Sequence, residues 1–105
     1  MRLQPNEVNA IAQAARDAFT PGTAVFLFGS RVDDSKRGGD IDLLVELPKA
    51  LPPAELVRRR TRFVSRLYRL LDEQRIDIVI ATQDQQDSRA VVAAAKREGL
   101  QVAQV

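Results

Sequence analysis

Neither cysteine nor histidine occurs in the 105 residues of this chain. Without cysteine there is no disulfide framework and no thiolate zinc site. Without histidine there is no Ser-His-Asp or Cys-His catalysis and no imidazole-bound metal. Any chemistry falls to carboxylates, hydroxyls, arginine, lysine and backbone amides. One-sided charge is lacking too, since 16 Lys+Arg stand against 14 Asp+Glu for a formal charge of +2. That balance is not the footprint of a strong nucleic-acid binder, so direct nucleic-acid binding is not expected. No apolar run approaches membrane-spanning length, and the opening MRLQPNEVNAIAQAARDAF is too polar for a signal peptide. The expectation is a cytoplasmic protein without membrane contact, built as one small domain over residues 1–105.

Hydrophobic spacing divides the chain into short elements. Val8, Ile11, Ala12, Ala15 and Phe19 recur at helical spacing behind Pro5, and Thr20-Pro21-Gly22-Thr23 reads as the turn that ends this helix. Residues 24–28, AVFLF, are too short for a helix and read as a buried strand. Residues 40–46, DIDLLVE, read as a second strand after a polar loop. Residues 53–73 form an amphipathic helix whose apolar stripe is Leu56, Phe63, Val64, Leu67, Leu70 and Leu71. Residues 75–81, RIDIVIA, alternate as a third strand. A last helix is expected from about Ser88 to Glu98, with Asp87 as N-cap and Gly99 as stop, and the tail LQVAQV as a short edge strand. The order α-β-β-α-β-α implies an α/β fold on one small mixed sheet.

The chemistry concentrates in FLFGSRVDDSKRGGDIDLLVE, residues 26–46. Side chains two apart on a strand share a face, so Asp40 and Asp42 project together while Ile41, Leu43 and Val45 turn to the core. On the third strand Ile76, Ile78 and Ile80 face one side and Asp77 the other. If the two strands are neighbours in register, three carboxylates meet on one patch. Such crowding raises carboxylate pKa values, and a divalent cation relieves it. Mg²⁺ prefers hard oxygen ligands, and two such ions about 4 Å apart suit in-line displacement at phosphorus. Gly29 lets backbone approach a phosphate, Ser30 adds a hydroxyl, and Arg31 adds a fixed positive charge. An anion cradle beside metal-binding carboxylates describes a site for a nucleoside triphosphate. The plainer readings are a turn at Gly29-Ser30, a capped strand start at Asp40, and Asp77 paired with Arg75 on the same strand face.

Gly29-Ser30, nine residues, then Asp40-Ile41-Asp42 resembles the signature of the nucleotidyltransferase fold of the DNA polymerase beta superfamily. Within it, the chain looks most like the minimal nucleotidyltransferases (MNT). Arg31-Val32-Asp33 stands where Ala-Arg-Gly often follows the serine, and the spacing is one residue shorter than the commonest form. The resemblance implies that Gly29, Ser30 and Arg31 contact the nucleotide. It also implies that Asp40, Asp42 and Asp77 are the catalytic carboxylates holding two Mg²⁺. An acceptor hydroxyl would then attack the alpha-phosphorus of a nucleoside triphosphate, ATP being the usual donor, and release pyrophosphate. It further implies a partner, because MNT proteins are often antitoxins of all-helical HEPN-domain ribonuclease toxins and add AMP to a toxin hydroxyl. A stoichiometric antitoxin without turnover and a small-molecule nucleotidyltransferase are the alternatives.

Two further segments stand out. In VRRRTRFVSRLYR, Arg58, Arg59, Arg62, Arg66 and Arg69 fall mostly off the apolar stripe. They read as a solvated face, with an acidic partner surface or RNA as the functional alternatives. Tyr68 is expected to pack. Residues 88–105 carry more apolar content than one short helix must bury, which marks that end as a candidate partner surface.

Overall fold

The computed structural model describes residues 3–29, 40–71 and 75–105. Three helices and four strands follow one another: α1 (Pro5–Ala18), β1 (Ala24–Phe28), β2 (Ile41–Leu47), α2 (Pro53–Leu70), β3 (Ile76–Thr82), α3 (Ala90–Glu98) and β4 (Leu100–Gln104). The expected order is therefore observed, and the weakly alternating tail is a strand. In space the strands lie in the order β3-β2-β1-β4. β1 is antiparallel to both β2 and β4, whereas β2 and β3 run parallel. A parallel pair needs a crossover, and α2 supplies it.

Local signals place the ends. Pro5 sits in the first turn of α1, where its missing N–H costs nothing, and Glu7 accepts the Gln4 N–H at 2.9 Å. Ile41, Leu43, Val45 and Leu47 are buried on one face of β2, against Ile11, Ala14, Ala15, Phe63 and Leu67. Phe19 and Phe63 close the seam between α1 and α2, with ring centroids 5.0 Å apart. The other sheet face carries a smaller cluster of Leu44, Ala81, Val92 and Ala95 beneath α3. Lys96 of α3 also reaches Glu46 of β2 at 3.1 Å.

Four expectations need correction. Leu70 belongs to the expected stripe but, as the final residue of α2, stays 39% exposed. Tyr68 does not pack: it is 48% exposed, because five residues past buried Phe63 is about 140° around the helix. Asp87 is not the N-cap of α3; Arg89 is. The Asp87 carboxylate is taken by the Arg89 guanidinium at 2.7 Å, and Arg89 Nη2 in turn donates to the Ile80 carbonyl at 2.7 Å. Finally, much of the apolar content of residues 88–105 is used inside the fold. Val92 and Ala95 pack on Leu44, and Ala103 of β4 joins the main core, leaving Val91 and Leu100 as the large exposed side chains there.

Candidate active site

The first residues of β2 and β3 are locked side by side. The Ile41 N–H donates to the Arg75 carbonyl at 2.9 Å. From there the parallel register runs Ile41 with Ile76, Asp42 with Asp77 and Leu43 with Ile78. Neighbouring strands lie about 4.8 Å apart, so Asp42 and Asp77 are lateral neighbours on one face. Asp40, two residues before Asp42, lies on the same side. The conditional expectation, that the strands be neighbours in register, is met. This face is the one α3 covers further along, through Leu44, and the carboxylates occupy its uncovered end.

The electrostatics follow from that crowding. The Asp42 carboxyl is pushed above its ordinary 3.8, first by desolvation and then by the negative charges of Asp77 and Asp40. Arg75 pulls the other way. Its Nε lies 3.6 Å from Asp40 Oδ2 and 3.9 Å from Asp77 Oδ1, so one guanidinium straddles two carboxylates. The plainer reading, Arg75 paired with Asp77, is thus half of what occurs. The Arg75 side chain is 75% exposed, and contacts that long between exposed groups contribute little. The reach to Asp40 was available in the sequence: if Asp42 faces Asp77, then Asp40 faces Arg75.

Gly29 meets this group from β1. Phe28 is the register partner of Asp42, and the next residue has φ +76°, in the left-handed region that favours glycine. A Cβ built there would overlap Asp42 Oδ2 and sit 3.2 Å from its Cγ. Gly29 therefore gives the turn its conformation and leaves room for the carboxylate. Ser30 and Arg31, with the rest of the loop to Gly39, lie outside the described residues.

The donor set suits a hard divalent cation. All of its atoms are carboxylate oxygens, and Asp42 carries more negative surroundings than it can relieve alone. Among the described residues no group of three such side chains forms a ready-made metal cage. Magnesium does not require one, since it binds through one or two carboxylates and completes its shell with water and substrate phosphates. Asp40 and Asp42 can supply that pair, with Asp77 beside them.

The family model of the nucleotidyltransferase domain matches residues 8–99. The chain belongs to this family, a family of enzymes that transfer nucleotidyl groups. No curated protein matches it. Among solved structures, the chain is similar to one in the toxin–antitoxin MntA–HpeT mutant with two Asp-to-Glu changes. There the identity is 21%, the TM-score 0.59, and coverage 93% of this chain and 73% of that one. It is also similar to a chain of the tri-AMPylated Shewanella oneidensis HEPN toxin in complex with MNT antitoxin, at 22% identity and TM-score 0.60, covering 98% and 74%. A third is a toxin–antitoxin structure with AMP-PNP, at 22% identity and TM-score 0.61, covering 93% and 73%. Identities this low establish the shared fold, which is the fold expected from the Gly-Ser and Asp-x-Asp pattern.

Proposed function

We propose that this chain is an antitoxin that transfers AMP from ATP to a hydroxyl of a HEPN-domain toxin. The observation that carries the reading is the parallel register of Asp42 with Asp77, with Asp40 on the same face and Gly29 open against Asp42. Family membership supports nucleotidyl transfer, and likeness to MNT antitoxin structures supports the donor and the partner. Asp40 and Asp42 would hold magnesium, with Asp77 as the third carboxylate. When bound, magnesium neutralises phosphate charge and stabilises the leaving pyrophosphate. Gly29 brings backbone close to the triphosphate, and Ser30 and Arg31 would bind its oxygens. The acceptor oxygen attacks the alpha-phosphorus, the bond to pyrophosphate breaks, and the acceptor proton passes to the Asp77 carboxylate. An AMP ester adds charge and bulk to the toxin, which opposes RNA binding there.

The test is the intact mass of a HEPN-domain toxin co-expressed with this chain, after incubation with this protein, ATP and Mg²⁺. A gain of one or more AMP units is expected. It should vanish with Asp40→Asn/Asp42→Asn. If the toxin is silenced with no mass gained, the chain masks its partner stoichiometrically and the catalytic assignment fails.

A further inference from the structure

The outer side of α2 carries a feature that the reaction does not use. A groove of about 710 Å³ runs along this helix, lined entirely by α2 side chains. Its arginines differ in state. Arg59 is neutralised by Glu55 at 2.9 Å and Arg66 by Asp17 at 2.8 Å. Arg62 reaches only the Asp17 backbone carbonyl, at 3.5 Å. Arg58 and Arg69 have no partner among the described residues. Arg58, Arg62, Ser65 and Arg69 fall at i, i+4, i+7 and i+11, one continuous seam about 16 Å long. Among the described residues none of its three arginines has a carboxylate partner, so the seam presents three like charges along one face of α2. Beside it runs a second seam of the same spacing, Val57, Thr61, Val64 and Tyr68, in which Val57 is 62% and Tyr68 48% exposed.

We infer that this face of α2 docks an α-helix of a partner protein, one presenting acidic side chains at helical spacing beside an apolar seam. A charged seam beside exposed apolar side chains, here Val57 and Tyr68 at the two ends of the second seam, is what helix-on-helix docking uses. A second copy of α2 is disfavoured, because it would set arginine against arginine. A nucleic acid is disfavoured because the chain's formal charge is only +2, and its single strands would find one aromatic, Tyr68, in these two seams. The surface lies across the sheet from the carboxylates, since α2 packs on the face opposite Asp42. The inference therefore stands independently of the reaction proposed above.

Fluorescence anisotropy with designed probes tests it. One labelled helical peptide carries Glu at i, i+4, i+7 and i+11 beside a Leu seam. A second has the same composition with its Glu spread around the helix, and a third probe is a single-stranded RNA oligonucleotide. The first peptide should bind about tenfold tighter than the second. Arg58→Ala/Arg62→Ala/Arg69→Ala should weaken it by about tenfold, as three exposed charge pairs predict. Alanine preserves helix propensity, and circular dichroism checks the fold. Nucleotide binding at the carboxylate site should not change. Equal binding of the two peptides, an unaffected triple variant, tighter binding of RNA, or no binding of the first peptide would each overturn the inference.

Discussion

At the residue scale the site holds a tension that can be measured. The folded-state pKa of Asp42 lies above its ordinary 3.8. Between those two values the native state binds more protons than the unfolded chain, so stability falls as pH rises through the folded pKa. The contribution is most favourable below about 3.8 and costs stability throughout the neutral range. Asp42→Asn removes that cost. In chelator at pH 7 the variant should melt above the wild type, by a margin that solvent screening keeps small, and the gap should close as the pH falls below 3.8. Thermal melts across pH check this, and a lower Tm for the variant at pH 7 would refute it. Gly29 makes the second prediction. Alanine there must hold φ +76°, at a cost of roughly 1–2 kcal/mol, and its Cβ also meets the Asp42 carboxylate. Gly29→Ala should therefore lower Tm by about 5–15 °C. In an Asp42→Ala background the loss should shrink to the backbone part, because the two effects share one contact. A strictly additive double-mutant cycle would show that Gly29 serves the turn alone.

At the scale of elements, what the sequence revealed depended on whether a signal was local and single-valued. β3 was legible because Ile76, Ile78 and Ile80 alternate with Asp77, and only one strand orientation buries the isoleucines. β2 was half legible. Its alternation placed Asp40 and Asp42 on one face, but that reading left no structural role for Leu44. The apolar run Leu43-Leu44-Val45 is the signature of a strand covered on both faces. Leu44 is fully buried, under Val92 and Ala95 of α3. The start of α3 was misread for a different reason. Asp87 is a good cap by type, yet Arg89 two residues on competes for the same carboxylate and wins with contacts through Nε and Nη2. That pairing holds the Asp87 carboxyl down to about 2 and leaves Arg89 Nη2 bonded to the exposed end of edge strand β3. Propensity cannot anticipate a tertiary bond of this kind. The carboxylate cluster was legible in its membership, but its register needed long-range pairing, and the reach of Arg75 to Asp40 follows from that register.

At the scale of the whole molecule, the last six residues decide whether the sheet has a protected centre. β4 pairs with β1 from Ala24 with Gln104 to Leu27 with Leu100. The chain end is tied by Gly22 N–H to the Val105 carbonyl and by Val105 N–H to the Thr23 carbonyl, both at 2.8 Å. Without β4, β1 becomes an edge, and the backbone on that side of Val25 and Leu27 loses its partners. β1 is also the strand that delivers Gly29 to Asp42, so the loss would reach the site. The ladder bonds to β1, at about 1 kcal/mol each, with the burial of Ala103, amount to a substantial part of a small domain's stability of roughly 5–15 kcal/mol. Deleting residues 100–105 should therefore abolish cooperative thermal unfolding, seen by far-ultraviolet circular dichroism, and nucleotide binding with it. Loss of a partner after that deletion would report unfolding rather than a lost contact. The exposed Leu100 and Val91 are the positions where substitution can probe that end of the molecule with the sheet intact. A truncated chain that still melts cooperatively within a few degrees of the full chain would mean that β2 and β3 alone hold β1 in place, and that β4 is an accessory to the sheet.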